Sequence, residues 1–376
     1  MNPKIDQQRR ELMELGYVIV RDMIPPAELQ ELRESVDAIV ERAPASGRVT
    51  MTDWVDRPSA NAVEFCFDDR VGDFSRQLME APDAAPLGMW VLCASGTGWH
   101  RDIHPIDMAP LDGLQEDVRL NGPPYVQWNI ALYDDNYLHA IPGSHLRRNN
   151  ADERKVERRS GVVPLPGAAT VDLEAGDGVV YINNILHSAT PNGDAKRRTL
   201  HLGYQAFGGR AFTHFFLPAT MGVHFIEHLA PWAVEKCVHF EELHNRRHDD
   251  IAATLRAILD ADERAFMEGL DRIHQSEDAR MTTLVVLSKV AYVIRKYKDS
   301  DAEDYANGPC IQGMADRFTG EELERLWDRF SVLDSKLQAD AEHYESLFQS
   351  GPMKYFFCDM PANFGVDDFI ASWRFQ

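Results

Sequence analysis

Between residues 88 and 207 the chain is a string of short strand-like runs, each ended by a cluster of turn residues. This texture constrains the fold more than any other feature. The runs cover residues 89–93, 97–105, 125–133, 161–171, 178–182 and 197–207. No alternation of strand and helix separates them, so the units of a parallel sheet are not expected. Many short strands with Gly/Pro turns predict a sandwich or barrel, and a double-sheet jelly roll manages the exposed edges of such a set. Residues 125–133 alternate cleanly. Val126, Trp128, Ile130 and Leu132 share one face and should pack against helices. Tyr125, Gln127, Asn129 and Tyr133 share the other, which is either a solvated surface or the inner wall of a ligand-holding barrel.

The flanks read differently. Residues 6–15 predict a helix closed by Gly16, followed by a strand over 17–22. Pro25-Pro26 opens a helix with Leu29, Leu32, Val36, Ile39 and Val40 at helical spacing. Residues 44–75 are rich in breakers and read as irregular. Residues 147–159 carry mixed charge and read as a solvated helix or loop, or as a lid. Beyond residue 218 the strand texture ends. Ile251, Leu255, Ile258, Leu259, Phe266, Leu270 and Ile273 mark one amphipathic helix, residues 284–294 a buried one, and Thr319-Gly320-Glu321-Glu322 a capping box. The expected fold is a mainly β core, a double-stranded β-helix (jelly roll) with flanking N-terminal helices, over residues 1–218. A large helical extension, residues 219–376, is expected to pack on it.

Charge and cysteines narrow the function classes. A net charge of −21 argues against nucleic acid or an anionic membrane as bulk partner. It leaves room for a small anion in a locally basic pocket, where Arg101, Arg147 and Arg148 would suit. No apolar run is long enough to span a membrane. The five cysteines show no CxxC spacing, and the first ten residues hold no apolar signal-peptide core. A cytoplasmic protein, monomer or dimer, acting on a small molecule is expected.

His100 and Asp102 bracket one residue in an extended segment, so both project to one side and Arg101 to the other. An imidazole and a carboxylate aimed at one point are two-thirds of a facial triad for non-haem Fe(II). A second metal-type pattern, His224-Phe225-Ile226-Glu227-His228, matches the H-x-x-E-H signature of a class of zinc proteases and would suit a metallohydrolase. His244 and His248 repeat the four-residue spacing in a charged run that reads as a solvated helix.

Several stretches occur together in a telling order: Gly16–Arg21 with the helix after it, His100-x-Asp102, Ile141-Pro142-Gly143-Ser144-His145, Gly176-Asp177, His187 with Pro191-Asn192, and Arg197-x-Thr199. In that order and approximate spacing the chain resembles phytanoyl-CoA dioxygenase-like proteins, which are Fe(II)/2-oxoglutarate-dependent oxygenases. The resemblance covers roughly residues 10–210. It implies that His100, Asp102 and His187 are the iron ligands and the catalytic centre, with 2-oxoglutarate and O2 as co-substrates and succinate and CO2 as products. It also implies an arginine for the far carboxylate of 2-oxoglutarate. Arg197 shares a strand face with Thr199, whereas Arg198 fits the commoner spacing from the last histidine; Arg197 is preferred. Asp102 favours hydroxylation, since related halogenases lack that carboxylate. The chain departs from the family pattern at Asp135-Asn136-Tyr137, with His139 nearby, and at Ser188. Gln127 is a candidate for the co-substrate, and Trp90, Trp99, His104, Tyr125, Asn129 and Tyr133 for the substrate. His104 and His201 could also lie near the iron as hydrogen-bonding neighbours. Two other readings stay open, a jelly-roll binding or sensor protein without turnover, and the H-x-x-E-H metallohydrolase.

Overall fold

The alternating stretch at residues 125–131 becomes the middle of a six-stranded antiparallel sheet in a computed structural model. The structure describes residues 3–102, 110–156, 161–207, 223–298, 313–339 and 358–373. In chain order the strands of the β core are β1 (Tyr17–Val20), β2 (Arg48–Thr50), β3 (Ala85–Leu92), β4 (Thr97–His100), β5 (Tyr125–Ala131), β6 (Leu138–Ala140), β7 (Ala169–Thr170), β8 (Gly178–Ile182), β9 (His187–Ala189) and β10 (Thr199–Gln205); Gln338–Ala339 and Cys358–Asp359 form a separate two-stranded sheet. The larger sheet runs β1-β8-β5-β10-β3-β2, and a four-stranded sheet runs β4-β9-β6-β7. Every pairing is antiparallel. The jelly-roll expectation therefore holds as a core of two antiparallel sheets.

The side-chain period of two sorts the larger sheet's faces. On the outer face, Trp128 donates its indole N–H to Ser75 Oγ at 2.9 Å, and Tyr204 its hydroxyl to the Cys66 carbonyl at 2.7 Å. These partners belong to the stretch expected to be irregular. It folds instead into short helices, α3 (Met51–Trp54), α4 (Ala60–Glu64) and α5 (Asp69–Met79), which follow α1 (Pro3–Leu15) and α2 (Pro26–Arg42). Asp68 caps α5 by accepting the Arg70 N–H at 2.8 Å. The breakers counted as loop signals are thus caps between brief helices. Between the sheets lies a core of Ala131, Leu138, Ala140, Val171, Leu173, Val179, Tyr181 and Ile185.

Two local motifs brace this core. Gly16 closes α1 at φ 86°, and its carbonyl accepts the Ile182 N–H at 2.9 Å. Asp177 takes the Asp22 N–H at 2.9 Å and an Arg21 guanidinium N–H at 2.5 Å, locking β1 to the turn before β8. Residues 134–145 do not fold back as a hairpin on β5. They cross from one sheet to the other, because β6 pairs with β7 and β9.

The remaining helices are α6 (Leu111–Asn121), α7 (Ala151–Val156), α8 (Val223–Ile226), α9 (Pro231–Leu259), α10 (Glu263–Ile273), α11 (Arg280–Tyr297), α12 (Gly320–Asp334) and α13 (Val366–Ser372). Compactness divides the chain otherwise than a single cut at residue 218. One unit holds Met1–Asp102, Tyr125–Ala206 and Thr220–Phe240, and the other Ile103–Pro124, Phe207–Ala219 and Glu241–Gln376. The amphipathic stretch from Ile251 to Ile273 is two helices rather than one. Ala261 turns left-handed at φ 54°, and Asp262 caps α10 by accepting the Ala265 N–H at 3.0 Å. The capping box at Thr319 forms, with Thr319 Oγ1 accepting the Glu322 N–H and Glu322 Oε2 accepting the Thr319 N–H. No described helix is long and apolar enough to cross a membrane.

Candidate metal centre

His100 ends β4 and His187 begins β9, and the two sit directly opposite each other in the ladder. From Thr97 to His100 is three residues, against two from Ala189 to His187, so β4 carries a one-residue bulge. A bulge re-aims the side chain that follows it. The result brings the two rings to 4.3 Å between centroids. Asp102 completes the group, Oδ1 lying 3.5 Å from His100 Nε2 and Oδ2 3.4 Å from His187 Nε2. One ligand atom from each residue lies within 4.8 Å of the others, a spacing that a single metal ion can bridge. It is the only such group among the described residues.

Both rings are oriented from behind. His100 Nδ1 is 2.7 Å from the Gly98 carbonyl, and His187 Nδ1 is 2.9 Å from the Ile185 carbonyl. A carbonyl only accepts, so each Nδ1 carries the proton and each Nε2 presents its lone pair to the common point. Burial, then the neighbouring His100, lowers the His187 pKa to about 4, so this ring is neutral at pH 7. The Tyr181 ring packs on it at 5.4 Å, and burial raises that phenol well above its usual pKa.

The backbone under Asp102 is clamped. Its N–H donates to the Asn183 carbonyl at 3.1 Å, and Asn183 Nδ2 donates back to its carbonyl at 3.3 Å. Arg101 points the other way and is 1% exposed. Its guanidinium donates to the carbonyls of Ser144 and Asn184 at 2.7 and 2.6 Å and to Asn149 Oδ1 at 2.5 Å. The Pro-Gly-Ser-His turn joins this frame. Ser144 Oγ accepts the Leu186 N–H at 2.8 Å, one residue before His187, and His145 Nε2 donates to the Met13 carbonyl at 3.1 Å.

The inner face of the larger sheet faces this cluster. Tyr125, Gln127 and Asn129 are all buried, which removes the solvated-surface reading. His201 Nδ1 donates to Asn129 Oδ1 at 2.7 Å, leaving Nε2 3.4 Å from Gln127 Nε2. Burial, then the charge of Arg48, lowers the His201 pKa to about 3. Gln127 Oε1 is buried with no partner among the described residues. The two candidate arginines separate. Arg197, 3% exposed, donates Nε to Asp135 Oδ2 at 2.8 Å and Nη1 to the Ala94 carbonyl at 3.2 Å. Thr199 Oγ1 donates to the same Asp135 oxygen at 2.5 Å. Arg198 instead turns to α2 and donates to Asp37 Oδ1 at 2.7 Å.

Other expected residues lie elsewhere. Trp99 is on the far face of β4, in a core with Ile141, Val156, Leu165 and Leu186, and its indole donates to the Val163 carbonyl at 2.6 Å. The alternation that sends Arg101 away from the metal point sends Trp99 with it. Tyr133 lies past the end of β5, between Arg33 and Lys196. Arg147 is taken by Glu153, at 2.7 Å from each terminal nitrogen. His104 lies outside the described residues. Helix α8 stops at Ile226, so Glu227 and His228 are not on the continuous helix that the H-x-x-E-H reading needs. His244 sits against Phe207 on α9, and burial followed by His248 lowers its pKa to about 3.

Residues 12–200, half of the chain, match the family described as phytanoyl-CoA dioxygenase (PhyH). The chain belongs to this family. The match spans every strand that carries the cluster. No curated protein matches the sequence. Among solved structures, the non-heme α-ketoglutarate-dependent epimerase SnoN from nogalamycin biosynthesis is 18% identical, with a TM-score of 0.41, over 55% of this chain and 83% of its own. HygX from Streptomyces hygroscopicus, solved with nickel and 2-oxoglutarate, is 17% identical, with a TM-score of 0.41, over 55% and 88%. EctD from S. alaskensis is 16% identical, with a TM-score of 0.40, over 53% and 76%.

Proposed function

We propose that this member of the phytanoyl-CoA dioxygenase family is an Fe(II)- and 2-oxoglutarate-dependent oxygenase that hydroxylates a C–H bond of a small organic molecule, releasing succinate and CO2. The observation that carries the reading is the convergence of His100, Asp102 and His187 with both imidazole Nδ1 atoms tied to backbone carbonyls. Two neutral imidazoles and one carboxylate are the donor set that suits a mononuclear Fe(II) and leaves coordination positions open. Bound there, the iron with 2-oxoglutarate and O2 would supply the oxidising chemistry.

The chain's own residues bind, orient and exclude water. The clamp from Asn183 keeps the Asp102 backbone in register with His187. Arg197 is the anchor for the far carboxylate of 2-oxoglutarate. Its Nε is committed to Asp135 and its Nη1 donates to the Ala94 carbonyl, so Nη2 is the nitrogen that meets the co-substrate. Thr199 acts through Asp135 rather than on the co-substrate, because its hydroxyl proton is spent there. Gln127 and the Asn129–His201 pair form the polar wall on which the co-substrate lies. Tyr181 and the apolar core between the sheets keep water from the His187 side.

The test is succinate formed from 2-oxoglutarate under air with added Fe(II). His187→Ala should abolish it while leaving the protein folded by circular dichroism. Equal succinate release by wild type and by this variant would refute the assignment. A fully folded wild type that neither forms succinate nor consumes 2-oxoglutarate would favour a binding protein.

A further inference from the structure

Arg48 stands apart from every other cation near the centre. It opens β2, the edge strand of the larger sheet, where Arg48 pairs with Leu92 and Thr50 with Trp90. Trp90 in turn pairs with His201 on β10. Residues directly opposite each other in a sheet point to the same face, so Arg48, Trp90 and His201 share the inner face with Gln127 and Asn129. The contacts agree. The Arg48 guanidinium lies 3.8 Å over the Trp90 ring, and that ring lies 5.8 Å from His201. Trp90 lies flat because Gly88, at φ 64°, has no side chain; a Cβ there would come within 1.9 Å of the indole.

Arg197 is committed to Asp135, Arg198 to Asp37, Arg147 to Glu153, and Arg101 to carbonyls behind the ligands. The Arg48 guanidinium makes no hydrogen bond or ion pair to a described residue, although it lies within the electrostatic reach of Asp102, Tyr125 and Tyr181. Arg48 is exposed as a residue, while burial of its guanidinium end lowers its pKa from the ordinary value, so the group lies at the rim of the site rather than in open solvent. A planar guanidinium stacked on an indole keeps its in-plane N–H groups free for an oxyanion. In a chain of net charge −21 such a cation is a local exception.

We propose that Arg48, laid on Trp90, binds a carboxylate of the molecule oxidised at the metal centre, so that the substrate is a monocarboxylic acid. The proposal rests on the oxygenase reading and names its substrate class. A carboxylate is favoured over a phosphate on charge. One guanidinium with no carboxylate partner among the described residues balances one negative charge, whereas a phosphate ester brings nearly two. Arg197 is 3% exposed, whereas Arg48 is exposed as a residue with only its guanidinium end withdrawn from water, which leaves the deeper position to 2-oxoglutarate and the outer one to the substrate.

The test reads binding, not turnover. The protein, loaded anaerobically with Fe(II) and 2-oxoglutarate, is titrated by thermal shift with aliphatic and aromatic monocarboxylic acids, each paired with its carboxamide. Wild type should bind at least one acid about 10–100-fold more tightly than its amide, the size expected for hydrogen bonds to a charged group. Arg48→Gln should erase that preference, and Arg48→Lys should restore part of it. Inorganic phosphate should not displace the acid. The proposal is overturned if no acid binds, if acid and amide bind alike, if Arg48→Gln keeps the preference, or if phosphate competes equally. It is also overturned if Arg48→Gln weakens 2-oxoglutarate binding by the same factor, since Arg48 would then serve the co-substrate. If the loaded wild type shows no 2-oxoglutarate binding at all, it is the oxygenase reading that fails.

Discussion

Asp135 is a carboxylate in a place where a co-substrate carboxylate is also expected. It is 2% exposed and holds both Arg197 and Thr199, so it presets the arginine before any ligand arrives. Removing one partner of a buried pair strands the other charge. Asp135→Asn should therefore cost ~3 kcal/mol in urea unfolding and raise the KM for 2-oxoglutarate more than it lowers kcat. An unchanged KM would show that Arg197 is not the anchor. His145 makes a second prediction at this scale. Burial lowers its pKa to about 4 from the ordinary 6.5, so the folded state resists a proton that the unfolded chain accepts. Its contribution is complete above pH 6.5 and is lost as pH falls towards 4. The stability gap between wild type and His145→Gln, whose amide can still donate to the Met13 carbonyl, should shrink over that window. A gap independent of pH would contradict it. The sequence shows some of these residues and hides others. Strand alternation alone aligns His100 with Asp102 and turns Arg101 away. Applied to Trp99 it also turns that ring away, into the core with Ile141 and Leu186 rather than to the pocket wall. Asp135 could not be read as the partner of Arg197, because 62 residues separate them and no local period joins them. Arg48 lies in a three-residue strand, too short to show alternation.

At the scale of elements, turns and caps do more for the site than strand propensity. The Pro-Gly-Ser-His turn was readable as a motif, but its work is visible only in three dimensions. Gly143 takes φ 75° and donates its N–H to the Leu15 carbonyl, while Ser144 holds the chain one residue before His187. Ser144→Ala leaves the buried Leu186 N–H without its acceptor. It should cost ~2 kcal/mol and weaken Fe(II) binding, measured by competition with a chelator. Loss of stability with unchanged iron affinity would show that the turn does not position His187. The long stretch of Pro, Asp and Ser before residue 75 misled for a related reason. Those residues initiate short helices as readily as they break long ones. The two helices over 251–273 look like one in a helical wheel because Asp260-Ala261-Asp262 interrupts the chain but barely shifts the apolar face.

For the whole molecule, two sheets and a negative surface set the terms. The sheets were legible because short apolar runs with turn clusters have few stable packings. The grouping of residues 103–124 with the later helices was not, since no composition shift marks either end of that segment. With a net charge of −21, the cations turned towards the centre are local exceptions to the overall field of the chain. The central claim is that His100, Asp102 and His187 hold iron together with 2-oxoglutarate. Anaerobic titration with Fe(II) and 2-oxoglutarate tests it most directly. A weak visible charge-transfer band should develop in wild type and be absent from His100→Ala and His187→Ala. A folded wild type that shows no band, or variants that keep it, would contradict the claim.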